Sequence, residues 1–177
     1  MTGLKLYPFL ALLLLLFALS KTTKVQAQAV DIGDISELNG SAQIVRDKPL
    51  DAELKFAIQS NDEAITTNGR MAITFLDDSI VKLTEHSQLL IDEYIYDPDP
   101  SKAKMALTFG LGTARFITGS FNKIDKQNIT LKTPTANIAI RGTDFTATVD
   151  ELGRSLIILL PDALGLSSGE IEVVTAM

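Results

Sequence analysis

Cysteine is absent from the 177-residue chain. That excludes disulfides, thiolate metal sites, a cysteine nucleophile and the acylated cysteine of a lipoprotein. Histidine occurs once, as His86 in Glu85-His86-Ser87. Adjacent residues of a strand point to opposite faces, so this triplet does not make a catalytic triad by itself. His86 reads instead as an exposed residue at a strand turn. Basic residues are in deficit, with 16 Lys and Arg against 22 Asp and Glu. A net charge of −6 repels nucleic acid phosphates, whose binding needs clustered Lys and Arg. It also gains nothing from an anionic lipid surface. Long hydrophobic runs are missing too. The run at residues 9–19 (FLALLLLLFAL) has 11 residues, where a spanning helix needs ~20. Helical periodicity is nearly absent. Its best stretch, residues 50–59 (LDAELKFAIQ), reads equally well as an extended segment.

What is present at the start has the proportions of a secretory signal. Lys5 precedes the short apolar run, a polar segment follows at residues 20–28, and Ala27 and Ala29 give an A-x-A ending. Residues 1–29 are expected to be a cleaved signal peptide and residues 30–177 a single exported domain. Cleavage removes Lys5, Lys21 and Lys24, and the net charge falls from −6 to −9. Once cleaved, the chain is expected to have no stable membrane insertion.

The remaining sequence has a period of two almost throughout. Met71, Ile73 and Phe75 alternate with Ala72, Thr74 and Leu76, and Leu107, Phe109 and Leu111 continue the pattern. Leu89, Ile91 and Ile95 are placed on one face, with Glu93 as the exception and Tyr94 and Tyr96 opposite. Such runs, separated by Asn39-Gly40, Asn68-Gly69, Asp77-Asp78, Gly110 with Gly112, and Leu152-Gly153, predict half-buried strands joined by turns. The fold class is all-β, with about ten or more short strands in a two-sheet roll or sandwich or a short β-solenoid. Residues 97–103 (DPDPSKA) and 121–127 (FNKIDKQ) read as surface loops. TNGRMAI at residues 67–73 and TPTANIAI at residues 133–140 echo each other faintly, as a duplicated β unit would.

Four segments carry a resemblance to the FecR domain family of exported bacterial proteins. They are IGDISELNGSAQIVR (residues 32–46), NDEAITTNGRMAITFLDDSIVKLTEHSQLLIDEYIYDP (61–98), LTFGLGTARFITGSF (107–121) and TPTANIAIRGTDFTATV (133–149). The sequence departs from the family pattern at Asn61-Asp62, where Gly-Asp is usual, and at Asp77-Asp78-Ser79, where the middle residue is usually glycine. The resemblance implies an all-β periplasmic module. In FecR regulators a cytoplasmic sigma-regulating domain precedes the membrane helix. Only eight residues precede the apolar run here, so that activity is not expected to carry over.

The expected function is a non-catalytic module, without cofactor or metal, that binds or senses an envelope protein or surface component. Its expected location is the periplasm or cell surface of a Gram-negative bacterium. The alternatives are a structural or adhesive envelope protein and a carbohydrate-active enzyme. Candidate binding residues are Arg141 and Asp144 of the RGTD segment, and Tyr94 and Tyr96 as a ligand platform if their face is open. If a second sheet covers that face, both tyrosines are core residues. Thr133, Pro134, Gly142 and Thr143 are the structural part of the same motif. A strand that turns a corner needs a residue without a Cβ, and Gly142 supplies it. Arg141 and Asp144 then either pair across the bend, or Thr143 and Asp144 cap freed backbone donors. The competing reading makes Arg141 a recognition residue for a carboxylate or a peptide carbonyl. Asp77-Asp78 and Asp97-x-Asp99 lack the spacing of a calcium loop and read as solvated acidic turns.

Overall fold

The computed structural model describes residues 30–97, 99, 102–119 and 128–176. Residues 1–29, expected to be a signal peptide, and residues 121–127 lie outside the described residues. Fourteen strands form one curled sheet, and no α-helix occurs among the described residues. The sheet folds over on itself to give two facing layers.

The strand that joins the layers is β9 (Lys104–Ile117). Its second half pairs with β7 (Ile80–Leu83) on one side and β12 (Asp144–Val149) on the other. That layer continues through β6 (Arg70–Phe75), β1 (Asp31–Asn39) and β4 (Ala57–Gln59) to one edge, and through β13 (Ser155–Leu159) to the other. The first half of β9 pairs with β8 (Gln88–Ile95), and in parallel with β10 (Ile129–Lys132). This second layer continues through β5 (Glu63–Thr66), β2 (Ala42–Val45) and β3 (Pro49–Asp51), and on the far side through β11 (Ala136–Arg141) and β14 (Glu170–Thr175).

The alternation that predicts strands also fills the space between the layers. Phe145, Ala147 and Val149 of β12 and Ala136, Ile138 and Ile140 of β11 are buried, while their neighbours are not. Phe116 stacks on Phe145 with ring centres 5.0 Å apart, and Phe109 meets Phe116 edge-on at 6.0 Å. Burying such rings supplies the largest apolar areas per residue.

The layer change inside β9 falls at Gly112, which has φ +95°. An added Cβ there would meet Ser87 Cα at 2.6 Å and the His86 carbonyl at 2.7 Å. Ser87, fully buried, accepts from the Thr113 N–H at 3.2 Å and donates to the Thr113 carbonyl at 3.2 Å through one hydroxyl. His86 itself is exposed at φ +54°, in a turn rather than a strand.

Of the two readings of residues 50–59, the structure shows the extended one, with Lys55 at φ +68° in a turn. Two other expectations about local structure change. The register of β8 against β9 shifts between Ile91 and Glu93. A bulge reverses the alternation beyond it, so Tyr94 turns inward with Leu89 and Ile91, while Ile95 and Tyr96 are exposed. Finally, the two echoing segments enter strands with different neighbours. One leads into β6, between β1 and β7, and the other into β11, between β10 and β14.

Candidate functional site

The RGTD segment is where the chain leaves the second layer, at the end of β11, and enters the first, at the start of β12. Gly142 has φ +54°, the left-handed region that glycine adopts freely. The chain near Gly169 closes against this corner so tightly that a Cβ on Gly169 would meet the Gly142 and Arg141 carbonyls. Thr118 donates both its N–H and its hydroxyl to the Thr143 carbonyl, each at 3.0 Å.

The side chains of the corner are not arranged as the sequence reading expected. Asp144 pairs with Arg115 of β9, not with Arg141. The Arg115 Nε donates to Asp144 Oδ1 at 2.8 Å and the second guanidinium nitrogen to Oδ2. Arg141 is exposed, and its side chain makes no hydrogen bond or ion pair among the described residues. Residues 141 and 144 belong to different layers, and 144 faces outward beside β9. Nor do Thr143 and Asp144 cap the corner. Thr143 Oγ1 is buried without a hydrogen-bond partner among the described residues, and the Asp144 N–H donates to Ser168 Oγ at 3.1 Å, whose hydroxyl also reaches the Leu160 carbonyl at 2.7 Å. Thr133 turns the chain into β11. Its hydroxyl accepts from the Ala136 N–H at 3.0 Å and from Ser155 Oγ at 2.7 Å. Pro134 is exposed, and its Cβ would lie 3.2 Å from a Cβ on Gly153.

This geometry sets an expectation for melting experiments. Gly142→Val forces a β-branched residue into left-handed backbone and should cost about 1–3 kcal/mol. Arg141→Ala should leave the melting temperature unchanged. In a double-mutant cycle, Arg115→Ala and Asp144→Ala should couple by about 0.2–1 kcal/mol, the range for partly exposed pairs. Arg141→Ala and Asp144→Ala should be additive. Coupling between Arg141 and Asp144 would contradict the pairing seen here.

Of the two tyrosines, Tyr94 is a core residue and Tyr96 is exposed, and both line one groove. Tyr94 is 6% exposed and stacks on Phe75 at 5.2 Å. Its hydroxyl donates to Asp77 Oδ1 at 2.9 Å and accepts from the Asp77 N–H at 3.0 Å. Burial and the neighbouring carboxylate push that hydroxyl well above the ordinary tyrosine range. Asp77 is therefore buried, not solvated as its acidic turn implied. It also takes the Ser79 hydroxyl, which in turn accepts from the Gly119 N–H at 2.9 Å. Asp78 alone faces solvent, at φ +65°. Asp78 and Asn61 (φ +69°) hold the left-handed positions where the family pattern has glycine, so the turns survive the loss of glycine. Tyr96, 52% exposed, stands with Tyr94, Val30, Leu76 and Ile95 on a largely apolar groove of about 490 Å³.

A second groove, of about 470 Å³, crosses the outer face of the first layer. Cross-strand register builds it. Glu37, Ala72, Lys82, Arg115, Thr146 and Ile158 form one row from β1 to β13. Lys82 and Arg115 are thus direct neighbours on adjacent strands. Like charges in that position repel, and each is offset by one carboxylate. Lys82 Nζ lies 2.8 Å from Glu37 Oε1, and Arg115 holds Asp144. The Asp144 hydrogen bonds raise the Arg115 guanidinium further above its ordinary value. Ala72, 1% exposed, forms the floor. Beside the row, the Thr84 hydroxyl donates to the Thr113 carbonyl at 3.1 Å, and the Thr113 and Thr148 hydroxyls are 3.0 Å apart. Arg70 adds a third cation, 3.5 Å from Glu85. The sequence reading singled out none of Arg70, Lys82 or Arg115.

No group of three or more His, Asp or Glu able to hold a metal ion occurs among the described residues. A sequence model of the family described as FecR protein matches residues 61–160. The match runs from the end of β4 to the end of β13 and includes all three groove cations. No curated protein and no solved structure matches the chain.

Proposed function

The chain belongs to the FecR family, a signalling family associated with the cell envelope, and on that premise we propose that it is an exported, non-catalytic module that binds a partner in the bacterial envelope. The outer groove of the first layer is the binding face. The observation that carries this reading is the opposed pair Lys82 and Arg115. A sheet that is otherwise locally consistent places two cations directly across from each other, and departures of that kind concentrate at functional sites. The signal-like proportions of residues 1–29 support export.

Affinity capture from envelope extracts tests the reading. Wild-type protein should retain a component that Lys82→Glu/Arg115→Glu protein loses, at equal folding. Retention of the same component by both proteins would remove the groove from the account.

A further inference from the structure

We propose that the outer groove of the first layer receives an extended acidic segment of polypeptide, with carboxylates of that segment on Arg70, Lys82 and Arg115. The proposal rests on the partner-binding reading above and names the chemistry of the partner.

Two of the three cations are held ready rather than consumed. Lys82 and Glu37 are 41% and 66% exposed, and Arg70 and Glu85 71% and 54%. Exposed pairs of this kind contribute little, so an incoming carboxylate exchanges with them at small cost. Arg115 is gripped by Asp144, which is only 22% exposed, and offers an incoming carboxylate its remaining N–H donors rather than an exchange. Such a carboxylate also relieves the repulsion between Lys82 and Arg115 that one carboxylate on each outer side leaves in place. Arg70 suits the task because its planar fork, held only by a 3.5 Å contact to Glu85, is open to grip a carboxylate through two parallel hydrogen bonds.

The rest of the lining selects among anions. Glu37 lies inside the groove and Glu85 beside Arg70. A continuous polyanion such as a phosphodiester chain would set its charges against these carboxylates. A polypeptide presents N–H donors between its acidic side chains and satisfies both kinds of group. A sugar chain usually stacks its rings on aromatic residues, and no aromatic side chain among the described residues lines this groove.

Fluorescence anisotropy with a labelled peptide of alternating glutamate and serine tests this on the purified protein. Saturable binding is expected, weakening as salt is added. Lys82→Ala and Arg115→Ala should each weaken it about tenfold, as loss of a hydrogen bond to a charged group does. Arg154→Ala, which removes an exposed cation paired with Asp150 away from the groove, should not. Melting curves of each variant establish that it is folded. Equal binding of a glutamine–serine peptide would overturn the proposal. So would full displacement by inorganic phosphate, or tighter binding of polygalacturonate than of the peptide. If the acidic peptide does not bind while envelope capture still depends on Lys82 and Arg115, this proposal falls and the partner-binding reading stands.

Discussion

Gly112→Val should destabilise the domain by about 2–6 kcal/mol, the sum of left-handed strain and overpacking. The position has φ +95°, and a Cβ there meets backbone atoms of His86 and Ser87 at 2.7 and 2.6 Å. Neither neighbour is the free end of a flexible side chain. Ser87 is fixed by its two hydrogen bonds to Thr113, so relief would require β8 and β9 to separate where the chain changes layer. A domain with ~5–15 kcal/mol in hand would melt far below wild type or fail to fold. Gly110, two residues away on the same strand, is the control. It has no positive φ, and a Cβ would meet only the end of the Gln88 side chain at 3.9 Å. Gly110→Val should shift the melt little. Equal losses at both positions would mean that β9 tolerates or rejects side chains generally, and that Gly112 is not the crossing point.

The second large effect concerns Arg46 and Asp62. Asp62 is completely buried between β4 and β5, and its carboxylate accepts from Arg46 through two bonds of 2.7 Å and from the Gln59 N–H at 2.8 Å. Arg46 also donates to the Ala57 carbonyl at 3.0 Å and lies over the Phe56 ring. Arg46→Ala leaves the carboxylate buried and unpaired, which costs about 3–5 kcal/mol for a fully buried pair. The loss should fall toward the lower end, because the Arg46 side chain is 31% exposed. Arg46→Met/Asp62→Asn removes both charges and should recover part of it. Urea denaturation of the two proteins reads the difference. A double variant less stable than Arg46→Ala alone would contradict the unpaired charge as the cause.

Period-two patterning made most of the strands legible, because a strand facing one core must alternate. Ala136, Ile138 and Ile140 show this, as do Phe145, Ala147 and Val149. Gly142 was legible as a corner residue from the break between those two runs, and the structure gives it left-handed backbone. Parity was not legible through β8. The bulge beyond Ile91 inserts one residue and sends Tyr94 to the core, and bulges leave no fixed signature in a single sequence. Asp77 read as a turn carboxylate and nothing local marked Asp62 as buried, since their partners Tyr94 and Arg46 are 17 and 16 residues away. The groove was the least legible feature. Lys82 and Arg115 each read as the outward residue of an apolar strand, as nearly any charged strand residue does. Only the pairing of β7 with the second half of β9 puts them side by side, and nothing local in the sequence encodes that register.

The central claim is that this pair makes a binding face rather than a structural one. The decisive measurement is the affinity of the captured envelope component for wild-type and Lys82→Glu/Arg115→Glu protein, taken together with the melting temperature of each. The account predicts affinity weakened by at least about tenfold, equivalent to 1.4 kcal/mol, with a modest fall in melting temperature, because the new carboxylates repel each other, Glu37 and Asp144 while exposed charges contribute little to folding. Unchanged affinity, or a loss of affinity that only accompanies unfolding, would contradict it.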